Sequence, residues 1–411
     1  MDLEPIDTLQ QGAASPAPAA PGRASDFLDL TRVHRDLPAG AVFDPWRLKV
    51  LSRAEFGDLA DSRGRPSTGQ LAYLASLGLL APTFRNTVPQ RFRLLETGDM
   101  EIWLDRLAIL PVADAEGRQA VVSAGCAIAN VALAARCYGL LASVEPAMVE
   151  PEATLPYRPG HPSLTRVARI AFEPAVEEPP GWIEAMLARK VVRAEYDGEP
   201  LDPSLSRRLR SVAGYRHGLA LHLVSDAPTL GRLGRLDVAA ESILLPRGGY
   251  AAEMSEWLLP NDHPSPTGVR GRELGLSDEA ALQLHLGLAR HGPRQSAAVS
   301  PLLGASDAMM RSSSAIGILT VPRDDLARRI AAGRAYEEMA LLLAQEGYAT
   351  SVHCAMTDLA APRLALKSRL GTAERPVVIF RIGRPLRAED GRRPHSARPP
   401  LDRVLLEGQV Q

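Results

Sequence analysis

The sequence predicts an α+β protein built from two related halves, on three observations. Residues 91–106 read as a β-hairpin, because two strand-like runs flank the turn residues Thr97, Gly98 and Asp99. A helical segment rich in alanine and glycine recurs 208 positions later without a gap. A strand-like run follows each copy, around Arg169 in the first and around Arg381 in the second.

The first 40 residues are expected to form a disordered tail ahead of the globular part. Residues 12–25 are almost all Ala, Pro, Gly and Ser, which bury too little apolar surface to offset the entropy of ordering. A positively charged start followed by an apolar run is absent, so a secretory signal is not expected.

The first half is predicted to span residues 41–178. A helix is expected over residues 70–80, because Leu71, Leu74 and Ala75 share one helical face, and Pro82 ends it. The hairpin follows, and then a long helix over residues 118–139.

An acidic, proline-rich stretch at residues 173–181 marks the boundary with the second half, predicted to span residues 179–411. This half contains a long insert, residues 249–301, that could form a lid over a site.

The recurring helix indicates an internal duplication. Six residues return at the same spacing: Ala124, Gly125, Ala127, Ala132, Leu133 and Gly139 match Ala332, Gly333, Ala335, Ala340, Leu341 and Gly347. Alanine-rich helices also match by chance, but the shared order of helix and then strand favours duplication.

Composition argues against several classes of protein. The net charge of −1 and the pI of about 6.8 provide no field that would attract nucleic acid or an anionic membrane. The apolar stretch at residues 120–135 is too short to span a bilayer. Three cysteines without C-x-x-C spacing and nine scattered histidines indicate neither disulfides nor a metal site. Signatures of P-loop, Rossmann and serine-hydrolase sites are absent. A cytoplasmic protein without bound metal is expected.

Two polar segments carry candidate binding residues. The loop at residues 79–93 offers the hydroxyl of Thr83 and the amide of Asn86 to a planar heterocycle, although both could simply make local turn bonds. Residues 188–203 contain a compact basic cluster of the kind that binds phosphate, although a solvated helix end has the same composition. The members of the cluster are Arg189, Lys190 and Arg193.

These segments resemble motifs of the nitroreductase superfamily. Residues 81–92 resemble its A-P-S-x-x-N-x-Q-P-W-x-F motif, with Thr83 in place of Ser, Val88 in place of Gln and Gln90 in place of Trp. Residues 189–196 resemble the R-R-T-x-R-R-x-[FY] element that opens a nitroreductase half. There, Val191 replaces a hydroxyl residue that usually contacts the phosphate.

The resemblance extends over residues 48–406 and is closest to the Acg-like branch, in which two such units are fused. The basic stretch at residues 391–405 is similar to the one that returns an arginine to the FMN phosphate, with Arg398 as the best match. A disordered basic tail is the alternative for this stretch, although residues 401–405 look like a docking strand.

The resemblance implies a nitroreductase-like fold, with a mostly antiparallel sheet packed by helices in each half and the halves forming an intramolecular pseudo-dimer. One FMN is expected per chain, because the loop is kept only in the first half and the arginine-rich element only in the second. Thr83 and Asn86 would then hold the ring, and Arg193 its anionic edge. Phosphate anchoring would fall to Arg189 and Arg398, and Lys190 is aligned beside Arg189 in the same basic element.

The same resemblance implies that the backbone near Cys354 and Ala355 donates to flavin N5. The Cys354 thiol itself is expected to be buried and inert. Catalytic side chains are not expected, because the chemistry belongs to the flavin.

The expected function is hydride transfer from NAD(P)H to FMN and then to a nitro compound, a quinone or another organic acceptor. The partners would be small molecules, and the chains could pair further as homodimers. One alternative is an FMN-binding or storage protein with little turnover, which a lid would favour. Another is a pathway-specific flavin dehydrogenase.

Overall fold

The computed structural model describes residues 45–60, 65–147, 155–179, 181–291 and 300–406. The predicted tail at residues 1–40 lies outside these ranges, as do residues 292–299 of the insert. The described chain contains helices and two main, largely antiparallel sheets, which confirms the predicted α+β class.

The first sheet has five strands in the order β11-β1-β2-β4-β3. Its members are β1 Gln90–Leu94, β2 Met100–Asp105, β3 Leu140–Pro146, β4 Leu164–Pro174 and β11 Leu405–Leu406. Strands β1 and β2 form the predicted hairpin, with Phe92 opposite Ile102. The predicted docking strand is β11, which pairs in parallel with β1, so the C-terminal stretch completes the sheet of the first half.

The helices of the first half are α1 Arg53–Gly57, α2 Thr68–Gly78 and α3 Arg118–Arg136. Ser67 caps α2, since its Oγ accepts the backbone N–H of Gln70 at 3.1 Å. Helix α3 is buried along most of its length. It is long and apolar enough to cross a membrane, but 94% of its apolar window lies inside the protein, as in a core helix.

The second sheet has four antiparallel strands in the order β5-β8-β10-β9. Its members are β5 Ala220–Val224, β8 Ala315–Val321, β9 Ala349–Val352 and β10 Arg375–Gly383. The helices around it are α4 Gly181–Ala188, α5 Pro203–Ser211, α6 Ala227–Leu244, α7 Tyr250–Trp257, α8 Asp278–His291, α9 Ser300–Arg311, α10 Leu326–Gln345, α11 Ala355–Asp358, α12 Ala360–Leu370 and α13 Ala388–Gly391. A short parallel pair, β6 Leu258–Leu259 and β7 Val269–Arg270, lies within the insert.

The two sheets share one connectivity. Apart from β11, the strands of the first sheet lie in the order β1-β2-β4-β3 and those of the second in the order β5-β8-β10-β9, so both sheets have the chain order 1-2-4-3. In each sheet a long helix joins the second strand to the third. These helices, α3 and α10, pack on each other across the halves. They cross at Gly125 and Gly333, where a Cβ on Gly333 would lie only 2.0 Å from the carbonyl oxygen of Val122. Glycine is therefore required for this approach.

Candidate functional site

A cavity of about 450 Å³ is lined by residues of both predicted halves. The first half contributes the loop after α2 and one face of α3, including Thr83, Ser123 and Cys126. The second half contributes the end of β9 and the basic segment after α4. The family resemblance implies that these segments, far apart in the chain, form one site, and residues of both segments line this cavity.

The loop at residues 82–88 has an unusual backbone. Three residues that are not glycine have positive φ: Arg85 (50°), Asn86 (55°) and Val88 (49°). Such conformations cost free energy and persist where the surroundings impose them. Here Ser123 of α3 accepts the N–H of Phe84 at 3.1 Å and holds the loop against the cavity. Strain of this kind is concentrated at binding and catalytic sites.

The structure gives Thr83 and Asn86 different environments. Thr83 lines the cavity, and its Oγ1 accepts the N–H of Val88 at 3.1 Å, which leaves its hydroxyl hydrogen available. Asn86 is buried, and its amide donates to the carbonyl oxygens of Gly268 and Ala397 and accepts from Arg398. A contact between the Asn86 side chain and a ring would have to replace one of these bonds.

A second, smaller cavity of about 40 Å³ adjoins the first. The two share six lining residues, namely Pro82, Thr83, Val191, Arg193, Asp390 and Arg393. Five cationic side chains and two carboxylates line the small cavity: Arg189, Lys190, Arg193, Arg393 and Arg398 against Glu273 and Asp390. The predicted basic cluster and Arg398 therefore do lie together.

Arg189 and Arg398 are engaged by the protein itself. Arg398 donates from Nε to the carbonyl oxygen of Leu79 at 2.9 Å and from Nη2 to that of Ala81 at 3.0 Å. Arg189 donates to the carbonyl oxygen of Leu80 and lies 3.1 Å from the buried carboxylate of Glu337. These arginines satisfy the free carbonyl groups at the C-terminal end of α2.

Arg193 and Lys190 have donors to spare. Lys190 donates from Nζ to the carbonyl oxygens of Arg393 at 2.8 Å and Gly391 at 3.3 Å, which leaves one of its three protons. Arg193 lines both cavities, and its guanidinium has no hydrogen-bond or ion-pair partner among the described residues. Its cationic group is thus open to a ligand at the junction.

The small cavity carries an excess of positive charge. Burial, together with Lys190, Arg189 and Arg398, lowers the pKa of His395 to about 3. Burial and the neighbouring Arg189 also lower the pKa of Arg398. Both lowered pKa values mean that the protonated, positively charged forms of these side chains are disfavoured here. An anion in the cavity would offset the repulsion between the neighbouring cations.

The segment after β9 brings free backbone donors to the large cavity. Cys354 and Ala355 line it, and their N–H groups donate no hydrogen bond within the described residues, because they begin the short helix α11. Burial, with Asp358 close by, raises the pKa of the Cys354 thiol well above its ordinary value. The thiol therefore stays protonated.

Several acidic groups at this cavity were missed by sequence reasoning. Burial raises the pKa of Asp358 to about 6, and Gln119 donates to this carboxylate at 2.9 Å. Burial also raises the pKa of Glu241, which faces Arg85. Asp237 binds His353 next to the predicted flavin loop. Of these groups, Asp358 lies only four residues after Cys354. Its position next to the predicted flavin-contacting segment was the one feature of the sequence that could have pointed to it.

The insert covers part of the large cavity. Tyr250, Met254 and Leu288 from α7 and α8 line it. Glu253 of α7 accepts the backbone N–H groups of Val112 at 2.8 Å and Ala113 at 2.7 Å. The insert is therefore fastened to the first half.

Comparison with known proteins gives distant structural likenesses only. No protein-family model matches the sequence, and no curated protein is detectably similar to it. The chain is similar to the FMN-dependent nitroreductase NfnB from Mycobacterium smegmatis in complex with NADPH, at 14% identity and a TM-score of 0.38, over 56% of this chain and 98% of that one.

Two further solved structures are similar to this chain. A candidate nitroreductase from Anabaena variabilis has 10% identity and a TM-score of 0.46, over 88% of this chain and 96% of that one. A nitroreductase from Bacteroides fragilis with bound FMN has 14% identity and a TM-score of 0.29, over 50% and 88%. These superpositions are too loose to establish what this chain binds or does.

Proposed function

We propose that this chain holds one FMN at the seam between its halves and is an oxidoreductase of the nitroreductase type. The observation that carries the proposal is a wide cavity joined, at Arg193, to a small cavity with excess positive charge. FMN has the matching form, since it joins a planar ring to a phosphate dianion. The solved structures similar to this chain include proteins that bind FMN, and this likeness adds to the proposal.

The two cavities have suitable sizes for the two parts of FMN. The large one, about 450 Å³, lies within the range of roughly 300–1,000 Å³ usual for small-molecule sites. The small one, about 40 Å³, exceeds the ~10–15 Å³ that one water molecule needs. Its five cations and two carboxylates leave an excess of positive charge, most of which a phosphate dianion would offset.

We assign the phosphate first to Lys190 and Arg193, because these side chains have free donors. Arg189 would add its Nη1 group, which is buried without a hydrogen-bond partner among the described residues. Arg398 would act on the phosphate through its charge, because its three guanidinium nitrogens already donate to the protein. Thr83 would donate its hydroxyl to the ring. The N–H groups of Cys354 and Ala355 would face the ring edge that exchanges hydride.

Bound FMN would supply the redox chemistry, taking a hydride from NAD(P)H and passing electrons to a small organic acceptor. The protein positions the two reactants and excludes water with apolar walls. The cation of Arg193 would also stabilise the negative charge on the edge of the reduced flavin ring, because charge interactions are strong in a site of low dielectric constant.

The matching sheet orders and the crossing of α3 and α10 support an internal duplication and an intramolecular pseudo-dimer. Gly125 and Gly333 are the equivalent positions of the recurring sequence, and they meet each other at the crossing. A pseudo-two-fold axis through this crossing would relate the two halves, and the proposed FMN site would lie beside the axis at the interface between them.

The test is the visible spectrum of the purified full chain and the mass of the released cofactor. We expect flavin absorbance and an FMN mass. Arg193→Gln should weaken FMN binding by ~10-fold or more, because one charged donor is lost. Arg207→Gln, on the exposed surface of α5, is the matched control and should bind normally. A colourless protein that ignores added FMN would refute the proposal.

The insert favours a second candidate, an FMN-binding protein with little turnover. Residues of α7 and α8 cover the cavity, and Glu253 fastens them. Steady-state oxidation of NAD(P)H by FMN-loaded protein separates the two candidates, since rapid turnover excludes storage alone. A pathway-specific dehydrogenase would instead be reduced slowly by NAD(P)H and rapidly by its organic substrate.

A further inference from the structure

A buried aspartate and a histidine form a pair at the wall of the large cavity. His353 lies just after β9, next to Cys354, and Asp237 lies in the middle of α6. The Nδ1 atom of His353 is 2.8 Å from Oδ2 of Asp237, and the hydroxyl of Ser306 from α9 donates to the same oxygen. Three elements of the second half therefore converge on one carboxylate.

The pair is oriented toward the cavity. The side chain of Asp237 is only 1% exposed, whereas His353 is partly exposed and lines the cavity. Its Nε2 has no hydrogen-bond partner among the described residues. Since Nδ1 is held by Asp237, the free nitrogen of the ring is the one that a ligand can reach.

Asp237 has the features of a positioning group. Burial alone would raise its pKa, but His353, Ser306 and Arg381 hold the pKa of Asp237 below its usual value. Among the described residues its buried Oδ1 has no hydrogen-bond partner, which is costly for a residue with only a packing role. A buried, ionised carboxylate behind a histidine fixes its tautomer and stabilises its protonated form.

The surroundings of the pair suit an apolar substrate with one polar group. The walls include Leu244, Met254, Leu258, Leu284 and Leu288. Arg85 lies in the same cavity near Glu241 and Tyr250, and its buried Nε has no hydrogen-bond partner in the part of the chain that the structure describes. A carbonyl oxygen of a substrate would satisfy that donor.

We propose that Asp237 positions His353 as a proton donor to carbon, and that the substrate is an apolar α,β-unsaturated carbonyl compound. The proposal rests on the proposed function, because the reaction needs reduced FMN as the hydride donor. His353 Nε2 lies beside the loop whose backbone would face the hydride-exchanging edge of the ring. A proton and a hydride could thus reach adjacent atoms of one substrate.

Reduction of the substrate would form two C–H bonds and break one C=C π bond. A hydride from the reduced flavin forms a C–H bond at the β-carbon, and the proton from His353 Nε2 forms one at the α-carbon. The C=C π bond breaks, the substrate gains two electrons and the flavin is oxidised. NAD(P)H restores the reduced flavin, and a proton from water restores His353. Quinone reduction needs no such donor, because its protons go to oxygen atoms that exchange with water.

The test compares two acceptors with reduced, FMN-loaded full chain. We measure flavin reoxidation by stopped flow with 2-cyclohexen-1-one, an unsaturated ketone, and with menadione, a quinone. His353→Asn should slow reoxidation by the ketone by ~100-fold or more and should slow reoxidation by the quinone far less. Asp237→Asn should also slow reoxidation by the ketone, because it removes the carboxylate that positions His353. His222→Asn, on β5 outside the cavity, is the matched control and should match the wild type.

A binding measurement gives a readout without turnover. 4-Chlorophenol stacked on oxidised flavin as the phenolate produces a long-wavelength absorbance band, whose titration gives Kd. Its oxygen would accept from His353 Nε2, so His353→Asn should weaken binding by ~10-fold or more. A purely structural role for the pair would leave the phenol affinity of a folded variant unchanged.

The outcomes of these experiments distinguish the proton-donor role of His353 from the proposed FMN-dependent function. Wild-type rates with the ketone in a folded His353→Asn variant would overturn the proton donor, as would a wild-type protein that reduces menadione but never the ketone. His353→Gln repeats the test if His353→Asn fails to fold. A colourless protein would overturn the proposed function as well, whereas a yellow protein that fails only the ketone test leaves it standing.

Discussion

His395 lies among cations, and this environment sets how the protein responds to acid. Its pKa is about 3 in the folded protein, because of burial and then Lys190, Arg189 and Arg398, against an ordinary value of 6.5. The unfolded chain therefore binds a proton at this residue below about pH 6.5, and the folded chain does not until about pH 3. Folding is thus disfavoured as the pH falls through this window, by at most about 1.4 kcal/mol per pH unit.

We expect the melting temperature to fall between pH 6.5 and pH 4, and His395→Gln to reduce this fall. Inorganic phosphate should oppose it more than chloride does at equal ionic strength, because an anion between the cations stabilises a protonated His395. Thermal scans across this pH range measure both effects. His161→Gln, at an exposed histidine, is the control. Equal acid sensitivity in wild type and His395→Gln would contradict the expectation.

Some roles of single residues could be predicted from the sequence and others could not. The residues near position 190 alone were compatible with a solvated helix end, and the family resemblance was needed to predict a phosphate site; in the structure these cations line one cavity. The bonds of Arg398 to the carbonyl oxygens of Leu79 and Ala81 span more than 300 positions, and no local pattern encodes them. The pair of Asp237 and His353 was not predicted for the same reason, because its two residues lie 116 positions apart in the sequence.

In helix α7 of the insert, the side chain of Glu253 forms hydrogen bonds to the first half. Glu253 is 8% exposed and accepts two backbone N–H groups, those of Val112 and Ala113. Glu253→Ala leaves both donors without a partner, so we expect unfolding to become easier by ~1–3 kcal/mol. Hydrogen exchange at these two amides should accelerate, and FMN should dissociate faster from loaded protein.

The matched control for this change is Glu256→Ala, at an exposed position of the same helix. It should alter neither stability nor exchange beyond the small effect of a surface substitution. Unchanged protection of Val112 and Ala113 in Glu253→Ala would show that other contacts hold α7 in place.

Elements with strong local signals were predicted well. The hairpin of β1 and β2 has alternating polarity around a glycine turn, and α3 has a long apolar repeat. Helix α3 ends at Arg136 instead of residue 139, because the chain turns there and Gly139 adopts φ 72°. The docking strand at Leu405 was also predicted. Its parallel pairing with β1 was not predicted, because that pairing depends on the tertiary fold.

The two halves are joined most closely where α3 and α10 cross, and this makes the stability of the molecule depend on two glycines. A Cβ on Gly333 would lie 2.0 Å from the carbonyl oxygen of Val122 and 2.9 Å from the Cα of Gly125. Both contacts are with backbone, which cannot rotate away as a side chain could. Gly333→Ala must therefore push the two helices apart.

Separation of these helices should weaken both folding and the site. We expect Gly333→Ala to lower the free energy of unfolding by about 1–3 kcal/mol or more, as overpacking does. Val122 and Cys126 of α3 line the large cavity, so affinity for FMN should fall as well. Urea denaturation with and without FMN measures both. Gly57→Ala is the control, because a Cβ there meets nothing within 4 Å and replacing glycine slightly favours the folded state. If Gly333→Ala keeps the wild-type midpoint and FMN affinity, the crossing does not set the geometry of the seam.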